Sequence, residues 1–503
     1  MIQQNASLNM QPDQHNYSPP LSSVLNLKEN EEDKRQNLND ISIKQDSQLN
    51  SFLSAQNAEE TQKKIDDISK QIDQMYEVLP PVTNFFKFCF MMFGILAFAG
   101  WNAVITAFDY FSVRYPKETI PDVTFYFPFG VMVGDLLSGV TFVAQAKYFS
   151  VKSRFMYTVT VEVIVIISLC IVAMCYNNIN GFWISMVLLF IDGWADNVKT
   201  NTFVVIAGSV HPQLNNLFWT YTAFSGLIMN ALRFIVLGIF GDDLDSNANY
   251  GTLLYFIACA IIFIIAIICF AIFIKSNYYK TSLQIDALKQ QKIQLEKELY
   301  FIKNQTEQIS STIQHKGISK MFWAAINYLK EFIFITKHTG FLSLYLFISF
   351  FETFLLFPGV CVFRKPEFKF LEFAWAAQVM MTAFNLGDFI GKYIGYIKQL
   401  HRLYWIYGLV ILRISFVPIF ILMALNEGSS ILQNDYFIMC MIFLFSITNG
   451  FITTSLTHLS PRKITDPYIR DKVNFFSNFT MTLGIDLGIV LAIFLSNALP
   501  NYS

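Results

Sequence analysis

Apolar runs long enough to cross a bilayer recur along this chain, and nothing else in it limits the fold as much. Crossing the hydrocarbon takes about 20 residues of helix, because lipid offers no partner to backbone N–H and C=O groups. Such runs lie near 86–112, 122–147, 154–176, 181–208, 217–240 and 251–275, then near 339–363, 371–396, 403–425, 434–459 and 472–497. The pattern predicts an all-α polytopic membrane protein of about eleven transmembrane helices, six before a long polar loop and five after it. The runs 86–112 and 181–208 are the weakest, since each carries charge inside. Four parts follow: a disordered cytosolic tail over 1–84, a six-helix half over 85–275, a cytosolic loop with amphipathic helices over 276–337 and a five-helix half over 338–503.

Composition agrees. Of 503 residues 54% are hydrophobic and 15% charged, against about 25% charged in an ordinary soluble domain. A net charge of −1 supplies no basic field, so a nucleic-acid polymer is not an expected partner. The seven cysteines sit in or beside apolar runs without a CxxC pair, which predicts neither a disulfide framework nor a zinc site. The first eighty residues, rich in Asn, Gln, Ser and Asp, cannot bury enough apolar surface to offset chain entropy. Within them Ile65, Ile68, Ile72, Met75 and Leu79 recur at helical spacing and hint at a short amphipathic helix.

Lys and Arg set the orientation. With a cytosolic N-terminus, the inner loops hold Lys147, Lys152 and Arg154, the Lys-rich 276–337 segment, Lys398 and Arg402, then Arg462, Lys463, Arg470 and Lys472. The outer loops include the uncharged YNNING and the acidic GDDLDSNANYG, with Lys365 and Lys369 dissenting. The C-terminus then falls outside the cell, and the plasma membrane is the expected location. In the long loop Ile285, Leu288, Leu295, Leu299, Ile302, Ile309 and Ile313 form a seam interrupted by Lys292 and Thr306. A solvated amphipathic helix and self-association through 285–313 are both open readings. KMFWAAINYLKEFIF (320–334) has the pattern of a helix lying in the membrane interface.

Function is sought among polar residues inside the runs, where each costs free energy unless it faces protein or water. GWNAVITAFDYF (100–111) spends positions on Trp101, Asn102, Thr106 and Asp109. IDGWADNVKTN places Asp192, Asp196 and Lys199 on one helix face, and FNLGDFIGKY does the same for Asn385, Asp388 and Lys392. Both signs of charge on one face of two helices point to a polar pathway. Arg233, Arg413 near the kinking Pro418, and Asp486 between Gly484 and Gly488 complete the set. For Arg233 and Arg413, neutralising pairs that hold the bundle stand beside a place in the pathway. GxxxG at 484–488 more often reports close helix packing than chemistry. No HExxH, P-loop or GxSxG pattern occurs, so neither an enzyme, a metal centre nor a bound cofactor is expected.

Five stretches resemble motifs of the equilibrative nucleoside transporters, in matching order: WNAVITAFDYF, FETFLLFPGV with Pro358, FNLGDFIGK, LRISFVPIF with Arg413 and Pro418, and ITNGFITTSLTHLSPRKI. The resemblance implies a major-facilitator-like bundle of six and five helices that exposes a solute alternately on either side. It implies a nucleoside or nucleobase as the solute, and Trp101, Asn102, Lys199, Asn385, Asp388 and Lys392 as its contacts. Asp192, Asp196, Arg233, Pro358, Arg413, Pro418, Gly484 and Gly488 would shape or gate the pathway. Lys392 stands where the family more often has Arg, exchanging a planar fork of donors for a point charge. An ionised Asp388 can accept from ribose hydroxyls, and the Trp101 indole offers an apolar face to a ring. Facilitated diffusion is the expected mode. Proton coupling through Asp196, Asp388 or Asp486, or a different small polar solute, is the alternative.

Overall fold

The computed structural model describes residues 56–241, 246–304, 333, 337, 342–362, 373–397, 400, 402–425, 430–462 and 467–498. Among them there is no strand. Helix α1 covers 56–78, followed by α2 (Asn84–Ala97), α3 (Ala99–Ile105), α4 (Phe108–Arg114), α5 (Val123–Tyr148), α6 (Val151–Cys175), α7 (Ile179–Ser209), α8 (Pro212–Phe240), α9 (Ser246–Phe273) and α10 (Asn277–Asn304). After the loop come α11 (Leu342–Leu356), α12 (Gly359–Val362), α13 (Phe373–Gly395), α14 (Leu403–Arg413), α15 (Phe416–Ala424), α16 (Asp435–Arg462) and α17 (Pro467–Ala498).

Each expected apolar run coincides with a helix or with a helix broken into pieces. Among the described residues six helices are long and apolar enough to cross a membrane, within α6, α8, α9, α14–α15, α16 and α17. The bent pair α2–α3, kinked by 48°, can make a seventh. The other runs fold as helices that are broken, shorter or charge-bearing. The chain is a multi-pass membrane protein of all-helical class.

Side-chain caps mark where several of these helices begin. Thr83 accepts from Phe86 N, Asp122 from Thr124 N, Ser150 from Ser153 N, and Asn178 from both Asn180 N and Gly181 N. His211 Nδ1 accepts from Gln213 N, with Pro212 opening α8 where its missing N–H costs nothing. The capped α7 runs unbroken for 31 residues, although its charges made it one of the two weakest runs.

Helix α9 shows how the bundle sorts its faces. Ile257, Ile261, Ile264, Ile268 and Ile272 form an outward row, while Tyr255, Phe256, Cys259, Phe263 and Phe270 are fully buried. Lipid is as apolar as isoleucine, so the inner face is distinguished by ring packing rather than by hydrophobicity. Phe270 stacks on Phe155 at 3.9 Å between centroids, and Phe93 stacks on Phe203 at 4.9 Å.

The first run is broken twice, and the groups freed there are recovered by side chains. Thr200 Oγ1 of α7 donates to Ala97 O at 2.7 Å and Tyr255 Oη of α9 to Ala103 O at 3.2 Å, while Asn102 Nδ2 and Thr106 Oγ1 add second donors to Phe98 O and Asn102 O, each at 2.8 Å. Irregular backbone at membrane depth needs such partners. The α14–α15 break falls at Ile414–Ser415, where Pro418 cannot donate back to the carbonyl four residues earlier. Glycines let helices close in. A methyl on Gly450 of α16 would lie 2.2 Å from Asp388 O, and one on Gly391 of α13 would lie 2.1 Å from Ile447 O. Gly484 and Gly488 likewise bring α17 against Phe347 and Phe351 of α11.

Two compact units divide the chain. In the smaller, the described residues are 56–67 and 295–304; Ile65 and Leu299 are buried, and Lys64 pairs with Glu60 at 2.8 Å. The larger, 68–294 and 313–503, holds all the spans. In it Ile68, Ile72 and Ile285 are buried, and the Lys289 ammonium lies 5.3 Å from the Tyr76 ring centroid. Residues 56–78 therefore depart from the disorder expected over 1–84: the heptad isoleucines do build a helix, and its apolar row is covered. Ile285 and Leu299, on the seam for which self-association is one of two open readings, are buried within a single chain. Residues 1–55, the seam positions Thr306, Ile309 and Ile313, the stretch 320–332, and Lys365, Lys369, Lys398 and Lys463 lie outside the described residues.

Candidate functional site

On α13 the i, i+3, i+4 spacing of Asn385, Asp388 and Lys392 puts them on one face, and that face meets α8 and α16. Lys392 Nζ lies 2.7 Å from Asp388 Oδ2. Asn449 of α16 donates from Nδ2 to Asp388 Oδ1 at 2.8 Å, so both carboxylate oxygens are held. Asn449 Oδ1 in turn accepts from Thr353 Oγ1 of α11 at 2.8 Å. The close approach at Gly450 and Gly391 makes this possible, since a side chain at either would push α16 away from α13.

Asn385 sits where α13 touches α8. A methyl on Gly226 of α8 would fall 2.6 Å from Asn385 Cγ, and Asn385 Nδ2 has no hydrogen-bond partner. One residue before Gly226, Ser225 Oγ accepts from Asn102 Nδ2 at 3.3 Å. Farther along the same helices Gln378 Nε2 donates to Asn230 Oδ1 at 2.7 Å, and the Phe224 and Phe389 rings lie 5.5 Å apart. Trp101 is half-buried beside Asn102 and packs against the central core. Asn102, Ser225, Asn385 and Asp388 thus line up from the first span across α8 to α13.

Two of the other charges, Arg233 and Arg413, are sealed in ion pairs. Asp109, which looked costly in the first run, is met by Arg233 Nη2 at 2.5 Å, and Arg233 Nη1 donates to Thr252 Oγ1 at 3.1 Å. Arg413 is fully buried. It donates to Phe445 O at 2.9 Å, Thr448 Oγ1 at 2.8 Å, Thr353 Oγ1 at 2.7 Å and Glu352 Oε2 at 3.4 Å. Neutralising pairs are what both arginines make. Lys199 is also fully buried, its ammonium 2.7 and 2.9 Å from the two oxygens of Glu162 and 2.6 Å from Asp196 Oδ1. Asp192, one turn before Asp196, is fully buried with neither oxygen partnered. Pro358 lies in the turn between α11 and α12, beside Phe357, which stacks on Phe384 at 3.6 Å.

The arrangement brings Asn102, Asn385, Asp388 and Lys392 toward one seam and keeps Lys199 in a separate cluster. Three residues that matter here escaped the sequence reading. Glu162 is a lone acid in VTVEVIVII, a signal that was available; Glu352 lies inside the quoted FETFLLFPGV. Asn449 lies inside the quoted ITNGFITTSLTHLSPRKI but was given no role there. Among the described residues no group of three or more His, Cys, Asp or Glu could hold a metal ion.

Comparison with known proteins follows the same line. A family profile described as "Nucleoside transporter" matches residues 185–497. The chain is 21% identical over 384 residues to "Equilibrative nucleotide transporter 1" of Arabidopsis thaliana, covering 76% of this chain and 79% of that one. It is 26% identical over 146 residues to "Equilibrative nucleoside transporter 4" of Homo sapiens, covering 29% and 27%. Among solved structures, the nucleoside transporter NupG superposes with a TM-score of 0.47 at 12% identity, over 83% of this chain and 91% of that one. The profile takes in the Asp192–Lys199 face, the whole α13 face and the breaks of the second half, and the chain belongs to the nucleoside transporter family.

Proposed function

We propose that this chain moves nucleosides across a membrane by alternating access, binding them at the seam between α3, α8 and α13. The observation that carries the reading is the Asp388–Lys392 pair. Its side chains stay 13% and 28% exposed, while Arg233–Asp109 and Arg413–Glu352 are sealed at 5% or less. An accessible, hydrogen-bonded carboxylate beside an ammonium is suited to a vicinal diol: Asp388 accepts from the hydroxyls and Lys392 donates to their oxygens. Asn385 Nδ2, lacking a partner, offers a further donor. Trp101 offers an apolar face for the base or sugar ring, and Asn102 an amide beside it. Lys199 enters this reading as the counter-charge of Glu162 and Asp196, not as a direct contact.

A nucleoside fits better than a nucleotide, the solute in the name of the Arabidopsis relative. Phosphate brings negative charge and calls for cations not already neutralised by a carboxylate. Lys199, Arg233, Lys392 and Arg413 each already face a carboxylate. The rest of the reading is an 85–275 half and a 338–503 half that rock about the seam, eleven crossings, a cytosolic N-terminus, an outward C-terminus and a place in the plasma membrane. Gly484 and Gly488 would let α17 slide on α11.

Uptake into proteoliposomes tests it. A labelled ribonucleoside should enter, and unlabelled ribonucleosides should compete far better than the free base or the 5′-monophosphate. Equal competition by the free base would remove the diol from recognition. Competition led by the monophosphate would favour a nucleotide carrier.

A further inference from the structure

Two amide nitrogens stand without acceptors where α8 meets α13. Asn230 of α8 is 1% exposed and Asn385 of α13 is 9% exposed. Neither Nδ2 finds a hydrogen-bond partner among the described residues. A buried amide donor left unpaired costs free energy, and two donors cannot satisfy one another. The seam therefore calls for a group that accepts twice. Gln378 of α13, itself buried, fixes which end of Asn230 is on offer: its Nε2 donates to Asn230 Oδ1 at 2.7 Å and leaves the nitrogen end open. One turn farther along both helices, Phe234 stacks on Trp375 with 5.8 Å between centroids and closes the seam beyond the amides.

The two amides follow Asp388 in order. Asn385 lies three residues from Asp388 on α13, about 4.5 Å along the helix. Gly226 of α8 packs on Asn385, and Asn230 lies four residues farther along α8, about 6 Å. A ribose held at Asp388 would carry its base toward both. The outer edges of the bases differ in what they present there. Guanine and hypoxanthine place two acceptors side by side, O6 and N7. Adenine sets the acceptor N7 beside the donor N6, cytosine presents the donor N4, and uracil presents the single acceptor O4. Two neighbouring donors are matched by the first pattern alone. Against adenine, one amide would face the N6 amino group, donor to donor.

We propose that Asn230 and Asn385 read the base, with Gln378 as a positioning residue for Asn230, and that the preferred solute is a 6-oxopurine nucleoside such as inosine or guanosine. One amide nitrogen donates to O6 and the other to N7, while Asp388 and Lys392 hold the ribose. The solute enters as α8 and α13 part, and the amides gain on its arrival the acceptors that the closed seam denies them. The inference rests on the transport reading above and adds the base to it.

Uptake of labelled inosine by the full-length protein in proteoliposomes supplies the test. Unlabelled inosine and guanosine should compete about ten- to a hundredfold better than adenosine, which has the same sugar and nearly the same size. 7-Deazaguanosine, which lacks the N7 acceptor, should compete about tenfold less well than guanosine. Asn230→Leu removes one donor and should bring inosine and adenosine close to equal. Gln378→Met frees the oxygen of Asn230, and an asparagine amide with both ends free can pair with N6 and N7 of adenine. Adenosine should then gain on inosine, a direction that mere loosening of the seam would not select. Should either variant fail to insert, the competitor ranking in the parent decides without it. Adenosine competing as well as inosine in the parent would overturn the base reading, as would an inosine-to-adenosine ratio unmoved by both substitutions. Absence of flux for every nucleoside would strike the transport reading and this inference together, whereas flux without base preference would strike this inference alone.

Discussion

Asn449 donates to Asp388 Oδ1 at 2.8 Å while its own oxygen accepts from Thr353, so one amide joins the accessible carboxylate to a sealed network. Thr353 also accepts from Arg413, and Arg413 reaches Glu352, which carries the connection through α13, α16, α11 and α14. The consequence is orientation. Asp388 is held by Asn449 on one oxygen and by Lys392 on the other, and a carboxylate fixed in this way loses little freedom when a solute hydroxyl arrives. Lys392 is the freer member of the pair.

Asp388→Asn should therefore lower ribonucleoside uptake about ten- to a hundredfold, the loss of a charge-assisted hydrogen bond worth about 1.5–3 kcal/mol. Protein abundance at the membrane should stay near the parent level, because Lys392 retains partial access to water. Initial rates over a range of solute concentrations, normalised to inserted protein, check this. Parental kinetics would end the sugar-binding role of Asp388.

Lys392→Arg restores the residue commoner in the family and should keep transport active. A guanidinium can bridge two oxygens at once where an ammonium acts as a point. The affinity ratio of ribonucleosides to 2′-deoxyribonucleosides should accordingly rise. Competition curves for uridine and deoxyuridine, measured in both proteins, read that ratio; if it is the same in the two, Lys392 does not read the diol.

Arg413 should behave in the opposite way, as a matter of folding. Arg413→Leu leaves Glu352 buried without its partner, at a cost of about 3–5 kcal/mol, and should reduce the amount of monodisperse protein recovered in detergent. Arg413→Leu combined with Glu352→Leu should recover part of it, since replacing a whole buried pair by apolar groups costs far less than breaking it. Thermal stability followed by size-exclusion chromatography distinguishes the two. A single variant as stable as the parent would contradict an anchoring role.

Hydropathy made the helical membrane class readable, because hydrocarbon leaves a chain few ways to satisfy its backbone. The breaks were less so: Pro418 announced one, whereas the two near Ala97–Ala107 depend on side chains donating to freed carbonyls across helices. Charged positions were visible as anomalies, and so were partners one turn away such as Lys392 for Asp388, but partners on other helices were not. Asp109 with Arg233, and Lys199 with Glu162, are 124 and 37 residues apart in sequence, and helical periodicity reaches only one or two turns. The span-four face that read as a pathway is closed over by α6, a result that depends on which helix packs there. Asn449 stood inside a quoted motif without a role, because an amide inside a span leaves no charge that points to its partner.

Helices α1 and α10 offer the last test, and it separates folding within one chain from association between two. Tyr76 lies over Lys289, and Ile68, Ile72 and Ile285 of the same unit are buried without any second copy. A Tyr76→Cys, Lys289→Cys double variant, treated with a short bismaleimide in membranes, should be joined within single chains. Cleavage between the two positions would then leave fragments that stay together under denaturing conditions, and the uncleaved protein would run as a monomer. Either single variant should yield no such linkage. Cross-linked dimers from the double variant, with no intrachain product, would mean that the seam meets a second copy instead. Protease added to sealed cells addresses orientation in the same preparation: with a cytosolic N-terminus, residues 277–304 should resist cleavage until the membrane is opened. Cleavage there from outside would invert every loop assignment, because successive crossings alternate and the side of one loop fixes the side of all the others.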